Sequence, residues 1–311
     1  MQPELLFLLG PTASGKSEVA FVVAPRINAE IISLDSMLVY KGMDIGTDKP
    51  AAALREKIAH HLIDIAEPQE AFSLGRYVKE ARRKVAEISG KGKRALFVGG
   101  TGLYLKGVLK GIFSGPPADW TLRKRLREEA EKSGLQALYE RLKRIDPEAA
   151  KKISLRDLRR IIRALEVYEL TGKPISQLQT QFDRTPAAEA VLVCLNRERG
   201  DLYQRIDERV ERMFASGLVE EVKGLLKQGN LSRSASQAVG YKETIGFIEG
   251  KYDLAEAKRL IRKNTRRLVR RQLTWFRSFP EIKWLQIEKN EPKELIAQKV
   301  INLFGLQKTV E

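Results

Sequence analysis

The chain has 311 residues, 56 of them Lys or Arg and 40 Asp or Glu, which gives a formal charge of +16 near neutrality. At about 150 residues per domain this length accommodates two domains with a sizeable core and excludes a cross-linked mini-protein, while the positive excess points to a polyanionic partner such as nucleic acid. A single cysteine, Cys194, and two histidines, His60 and His61, exclude an internal disulfide and a four-ligand zinc cage, and no apolar run reaches the roughly 20 residues of a membrane helix.

Leu5 to Leu9 reads as a buried strand that runs into Gly10-Pro-Thr-Ala-Ser-Gly15-Lys16-Ser17, and a helical stretch follows from Glu18 to Ala24. This is a complete G-x-x-x-x-G-K-[ST] phosphate loop in its strand-to-helix context. Its amides and helix N-terminus suit a diphosphate, Lys16 can neutralise it, and the Ser17 hydroxyl can hold Mg²⁺. The alternative is a chance glycine turn, and the loop alone does not say whether the phosphates belong to ATP. No basic leader with a cleavage site precedes the strand, so a soluble cytoplasmic protein is expected.

Glu30 to Leu34 reads as a second strand. Asp35 and Ser36 lie just past its carboxyl end, where ligands of open parallel sheets bind. Asp35 is there either as a general base facing the phosphates or as a cap on the next turn. His61 to Ile65 and Arg94 to Val98 read as further strands. The latter ends in glycine where many ATPases carry a metal-organising aspartate, with Asp64 a weaker substitute, and this argues against ATP hydrolysis. In Val98-Gly-Gly-Thr-Gly-Leu-Tyr104 the glycines either admit a ligand close to the backbone or simply turn the strand into a helix capped by Thr101.

From Phe113 to about Thr185 glycine becomes scarce, and Leu122 to Leu142 and Leu155 to Leu170 show helical spacing. Phe113-Ser-Gly-Pro-Pro-Ala118 marks the boundary. The expected organisation is an α/β core with a P-loop NTPase-like parallel sheet and helices on both faces (residues 1–113), an inserted all-α domain (114–185), and a core continuation with basic C-terminal helices (186–311). In the insert, Arg156, Arg159, Arg160 and Arg163 share a helical side; they face nucleic acid or belong to an exposed helix balanced by Asp157, Glu166 and Glu169.

Ala190 to Leu195 reads as the returning strand and Asp201 to Lys227 as helix. Arg205 and Arg209 on that helix reach a diphosphate or, as the more ordinary outcome, pair with Asp207 and Glu208. Leu254 to Phe279 reads as one helix, with nine basic residues and no acid between Lys258 and Arg277. Pairs recurring every four positions (Lys258/Arg259, Arg262/Lys263, Arg266/Arg267, Arg270/Arg271) form a spiralling ridge suited to a phosphate backbone, the alternative being a solvated face. Trp275, Phe276 and Phe279 read as core residues rather than as base-stacking platforms.

The phosphate loop, Leu34-Asp-Ser-Met-Leu-Val-Tyr-Lys-Gly-Met-Asp-Ile-Gly-Thr-Asp-Lys-Pro50 and Val98-Gly-Gly-Thr-Gly-Leu-Tyr104 together resemble the bacterial tRNA dimethylallyltransferase family. The likeness continues through Asp157-Leu-Arg-Arg-Ile-Ile-Arg-Ala-Leu-Glu-Val-Tyr168, Gln237-Ala-Val-Gly-Tyr-Lys242 and Thr265-Arg-Arg-Leu-Val-Arg-Arg-Gln-Leu-Thr-Trp-Phe-Arg277. The resemblance implies transfer of a dimethylallyl group from dimethylallyl diphosphate to N6 of adenosine 37 in tRNAs reading codons that begin with U, with Mg²⁺ as cofactor and pyrophosphate as product. A monomer acting on the anticodon stem-loop is implied, with the target base flipped into a channel.

By the same resemblance Asp35 is the base, Thr101 positions the amine, and Arg209, with Arg205 and Arg212 close by, acts on the diphosphate held by Gly10, Thr12, Ala13, Ser14, Gly15, Lys16 and Ser17. Implied tRNA contacts are Asp35, Ser36, Met37, Leu38 and Thr101 in the core, Arg159, Arg160 and Arg163 in the insert, and Gln237, Gly240, Tyr241, Lys242, Arg266, Arg267, Arg270 and Arg271 towards the C-terminus. Leu38 departs from the pattern, because many relatives carry glutamine there. Three competing functions remain on residues alone: a small-metabolite kinase, a prenyltransferase acting on free AMP or ADP, and a non-catalytic RNA-binding module.

Overall fold

The structure, a computed structural model, describes residues 5–113, 115–179 and 189–306. Ser114 in the expected linker and the end of the expected insert near Thr185 lie outside them. The elements are β1 (Leu5–Leu9), α1 (Lys16–Arg26), β2 (Ala29–Leu34), α2 (Ala52–Lys57), β3 (His60–His61), α3 (Leu74–Gly90), β4 (Arg94–Gly99), α4 (Gly102–Lys110), α5 (Trp120–Ile145), α6 (Pro147–Lys152), α7 (Leu158–Thr171), α8 (Ile175–Leu178), β5 (Ala190–Arg197), α9 (Arg199–Ala215), α10 (Leu218–Lys227), α11 (Arg233–Ser236), α12 (Tyr241–Ile248), α13 (Leu254–Arg277), β6 (Lys283–Ile287) and α14 (Lys293–Leu303). The chain divides into two compact units, Met1–Leu109 with Pro186–Glu311, and Lys110–Thr185. No helix among the described residues is long and apolar enough to cross a membrane.

In the first unit the strands form one parallel sheet in the order β3-β2-β4-β1-β5-β6. All five residues of β1 are buried, as a parallel strand covered on both faces requires. Leu6, Leu8, Leu96, Val98, Val193 and Leu195 pack on one face against α1 and α14. On the other, Phe7 and Phe97 stack 4.7 Å apart, and α3 packs on β2 and β4, its Tyr77 hydroxyl donating to the Ser33 carbonyl at 2.9 Å. Register sets the site, because Leu9 pairs with both Gly99 and Cys194 while Gly99 also pairs with Leu34. The carboxyl ends of four neighbouring strands are therefore level, and the loops that follow them share one rim.

Several expected elements differ. The strand expected over His61 to Ile65 shrinks to His60–His61, since Leu62 and Asp64 take left-handed backbone at φ 60° and 56°, which no strand accommodates. The long helix expected from Leu122 to Leu142 is interrupted at Gly134, at φ 81° and ψ 155°. The helix expected from Asp201 to Lys227 is two, separated at Gly217 with φ 95°.

In the second unit α5 and α7 bury Leu126, Leu138, Leu142, Ile161 and Leu165. The same core encloses Glu166, whose carboxylate accepts from Arg123 at 2.8 Å, Arg163 at 2.6 Å and the Asp119 amide at 2.8 Å. A buried carboxylate requires such partners, and they are what Arg163 supplies.

At the end of the sheet away from the phosphate loop, Glu30 is buried and accepts from His61 Nε2 at 2.7 Å and Lys93 Nζ at 2.9 Å. Burial alone would raise its pKa, but the bonds from Lys93 and His61 and the Lys91 charge outweigh burial and hold the carboxyl at about 2. A carboxylate depressed in the fold stabilises it above its unfolded value of 4.5, and that contribution disappears as pH falls from there towards about 2. Glu30→Gln is expected to lower the thermal midpoint at neutral pH by several degrees and to flatten its decline on acidification. Melting curves across the acid range check this, and parallel declines in the two proteins would refute it.

Candidate active site

Three of the four level strand ends deliver a piece of one cavity of about 290 Å³, whose walls include Thr12, Lys16 and Ser17 after β1, Asp35 to Leu38 after β2, and Gly99 and Thr101 at the end of β4. Arg209 from α9 and Thr265, Leu268, Arg271 and Gln272 from α13 complete it. A second cavity of about 500 Å³, lined by Ala13, Gly15, Arg205 and Arg212, shares Lys16, Ser17, Asp48 and Arg209 with the first. The phosphate loop thus stands between a basic outer vestibule and an inner chamber.

The loop adopts its anion-cradling shape through left-handed backbone at Ala13 (φ 65°) and Gly15 (φ 87°). Gly10 leaves room for Ser14, since a Cβ there would stand 2.6 Å from Ser14 Oγ and displace that hydroxyl. Three arginines hold the outside of the loop: Arg197 Nε donates to Ser14 O at 2.9 Å, Arg205 Nε to Ala13 O at 2.9 Å, and Arg209 Nη1 to Thr12 Oγ1 at 3.1 Å. Arg209 also donates to Thr47 O at 3.1 Å and pairs with Asp48. Arg205 and Arg209 do not take the ordinary pairing with Asp207 and Glu208; Asp207 holds Arg266 instead. Arg212 lines only the outer vestibule. Burial lowers the pKa of Lys16, the nearby Asp35 carboxylate works against that shift, and Arg209 adds to it.

Asp35 Oδ1 accepts the Met37 amide at 2.8 Å, so the carboxylate does cap its own turn. Asp35 Oδ2 has no hydrogen bond among the described residues, and Asp35 lines the chamber. The two roles considered for Asp35 are therefore compatible, one oxygen for each. Thr101 stands at the start of α4 and its carbonyl accepts the Tyr104 and Leu105 amides, but its Oγ1 accepts the Ser36 amide at 3.2 Å, tying the loops after β2 and β4 together. Beside them Tyr104 stacks on Tyr77 with centroids 3.9 Å apart. Burial, and then the Asp35 charge, raise the pKa of Tyr104, so a buried, neutral aromatic pair packs behind these loops.

Gly99 explains the missing ATPase aspartate, since a Cβ at this position would lie 2.2 Å from Leu34 O. Asp64 does not substitute for it, because it pairs with Lys49 and Arg55. Among the described residues no group of three or more His, Cys, Asp or Glu is placed to hold a metal.

Towards the C-terminus the expected contacts separate into two kinds. Gln237 and Arg271 line the chamber, and Lys242, Arg267 and Arg270 are exposed. Tyr241, by contrast, is fully buried, and its hydroxyl donates to Glu221 Oε1 at 2.6 Å. Gly240 is buried too, its amide taken by Glu243. Tyr241 shapes the site from behind, because Glu221 also accepts the amides of Asp44, Ile45 and Gly46 at 2.7–3.2 Å and so fixes the segment whose Thr47 carbonyl meets Arg209. The ridge on α13 divides likewise. Lys258 and Arg262 pair with Glu211, and Arg266 with Asp207, on α9, whereas Arg267, Arg270 and Arg271 are exposed without an ion pair among the described residues. Phe276 and Phe279 are core, while Trp275 is 38% exposed.

In the second unit Arg159 and Arg160 are exposed, Arg160 pairing with Asp157. Arg163 donates to Glu166 and to the Pro116 carbonyl, which uses two of the five N–H donors of its guanidinium.

Sequence reasoning missed Arg197, Glu221 and Gln272. Gln272 alone left a signal, as a polar residue in the stripe Ile261, Thr265, Val269, Phe276 that α13 buries.

The family model described as IPP transferase matches residues 38–279. A tRNA dimethylallyltransferase of Carboxydothermus hydrogenoformans is 48% identical over 98% of this chain and 99% of its own, and that of Pelotomaculum thermopropionicum is 46% identical over 95% of each. Among solved structures, the full-length tRNA isopentenylpyrophosphate transferase of Bacillus halodurans matches with a TM-score of 0.71 at 36% identity, over 98% of this chain and 97% of that one. A eukaryotic dimethylallyltransferase described as acting on tRNA matches with a TM-score of 0.83 at 27% identity, over 96% of this chain and 78% of that one.

Proposed function

The chain belongs to the IPP transferase family, and from that membership we propose that it is a tRNA dimethylallyltransferase, moving a dimethylallyl group from its diphosphate to N6 of adenosine 37 in the cytoplasm. The observation that carries the reading is one chamber walled on one side by Thr12, Lys16, Ser17 and Arg209 and on the other by Asp35 and Thr101. The exocyclic amine of adenine is a weak nucleophile because its lone pair is delocalised into the ring. As the bond from N6 to the allylic carbon forms, the bond from that carbon to the diphosphate oxygen breaks, and the amine proton becomes acidic. Asp35 receives that proton, Thr101 orients the amine through its hydroxyl, and the loop amides with Lys16 and Arg209 stabilise the charge on the departing pyrophosphate.

Mg²⁺ fits this arrangement through Ser17, a hydroxyl-bearing residue that lines both cavities. Among the described residues no carboxylate cluster would cage it, so Ser17 would be the side chain that holds the ion, a sparse protein contribution that this cation tolerates. When bound it supplies positive charge to the leaving group.

The exposed arginines of α13 then follow RNA phosphates. Arg267, Arg270 and Arg271 replaced together by Ala are expected to weaken tRNA binding and to reduce the log–log salt slope by roughly 0.7–0.9 for each phosphate no longer neutralised, whereas Arg266→Ala alters the slope less, since Asp207 already neutralises it. Filter binding at several salt concentrations reads both. An unchanged slope in the triple variant returns this face to solvent.

The test of the reading is incubation with Mg²⁺, dimethylallyl diphosphate and unmodified tRNA bearing A36 and A37, followed by nucleoside mass analysis, with AMP and ATP reactions alongside. A dimethylallyl increment on A37 alone supports it. Modification of AMP overturns the RNA acceptor, and ATP turnover without prenyl transfer favours a kinase.

A further inference from the structure

Gln272 occupies a position that the transfer chemistry does not by itself account for. It lies on the buried face of α13, and its side-chain amide spends both of its hydrogen-bonding ends on main chain. Oε1 accepts the Thr12 amide at 2.9 Å, and Nε2 donates to the Gly100 carbonyl at 3.1 Å. These two partners lie in the loops after β1 and β4, whose strands are paired as far as Leu9 and Gly99. Beyond that pair the two loops diverge, and each carries one half of the site. Thr12 holds Arg209 on the leaving-group side. Gly100 precedes Thr101, which holds the Ser36 amide next to Asp35 on the acceptor side. By taking the Thr12 N–H, Gln272 also removes that amide from the donors open to an anion, so the diphosphate is left to the deeper amides of the cradle. A polar side chain buried in an apolar stripe is costly unless satisfied, and this one is satisfied only while both loops keep their places.

We propose that Gln272 is a positioning residue that fixes the separation between the diphosphate cradle and the Asp35–Thr101 face, so that the allylic carbon and the acceptor nitrogen meet in line. The proposal rests on the transfer reading above and extends it to a group that touches neither reacting atom. Misplacement by about 1 Å at such a site costs on the order of a hundredfold in rate, while binding of each substrate, made by other residues, is affected far less.

The variants are Gln272→Met, which keeps the length and removes both hydrogen bonds, and Gln272→Glu, which keeps an acceptor for Thr12 and opposes a carboxylate to the Gly100 carbonyl. Full-length protein of each is assayed for thermal midpoint, kcat, KM for both substrates, and the ratio of dimethylallyl alcohol to prenylated tRNA. The alcohol forms when water takes the place of the amine at the allylic carbon: the carbon–oxygen bond to diphosphate breaks, one to water forms, and a proton goes to solvent. The expected result is a fall in kcat of about tenfold to a hundredfold in both variants, KM values within about threefold of the unaltered protein, and a raised alcohol ratio. Wild-type kcat and ratio in a folded Met or Glu variant overturn the proposal. So does a loss of activity that only tracks the loss of folded protein, with the ratio unchanged, since that is a packing role. Absence of transfer by the unaltered protein refutes the functional reading itself, and the proposal with it.

Discussion

Asp35→Asn is expected to lower turnover by about 10²- to 10⁴-fold, the range associated with loss of a general base, while tRNA and dimethylallyl diphosphate still bind. Asparagine is the informative replacement because its side-chain oxygen can go on accepting the Met37 amide, as Asp35 Oδ1 does at 2.8 Å. The turn after β2, and with it the Ser36 amide that reaches Thr101, then keeps its geometry. What is lost is the basic oxygen left over. Single-turnover assays with saturating substrates isolate the chemical step, and equilibrium binding of tRNA measures the rest. Near-normal product formation would remove Asp35 as the base, and lost binding would make it a docking residue instead.

Lys16→Ala is expected to act on the other half of the reaction, lowering kcat by about 10²- to 10³-fold, as loss of one preorganised electrostatic contact to a developing anion does elsewhere, and weakening diphosphate binding. The loop itself is shaped by left-handed backbone at Ala13 and Gly15 and by arginines bonded to its carbonyls, so its form survives the substitution. A pH signature accompanies the effect. Burial moves the Lys16 pKa below the ordinary value of 10.5, so in the free protein the ammonium is lost at a lower pH than in a free lysine. Diphosphate affinity should therefore decline on the alkaline side before pH 10.5, and that limb should vanish in Lys16→Ala. Titration of pyrophosphate binding against pH decides it, and an identical alkaline limb in both proteins would assign the titration to another group.

The parts legible in the sequence are those in which local chemistry and tertiary role coincide. The phosphate loop is such a case, because its glycines, lysine and serine serve the backbone shape and the ligand together, and the strands around it are apolar runs buried on both faces. Asp35 and Thr101 could be placed at strand ends, but residues alone left each between capping and chemistry, since their alternative partners come from other loops. The basic ridge was visible as a charge pattern, yet the acids that neutralise Lys258, Arg262 and Arg266 lie on α9, about 50 positions away in sequence. Tyr241 sits in a motif that suggests contact with RNA, and only the fold shows that its hydroxyl is turned inward to Glu221. β6 and α14 escaped notice because the strand is short and largely exposed, with Trp284 40% accessible, so it lacks the continuous apolar run of its neighbours.

The crowding at Gly99 bears on how this protein stands towards nucleotide hydrolysis in evolution. Any side chain at that position would collide with the Leu34 main chain, and strands paired in register cannot move apart at one residue without disturbing the sheet. An aspartate there, the step that would begin to build a metal site for hydrolysing ATP, is consequently closed to single mutation. Changes in the chamber walls leave the sheet untouched, whereas an aspartate-organised metal site at this position would require remodelling two strands at once.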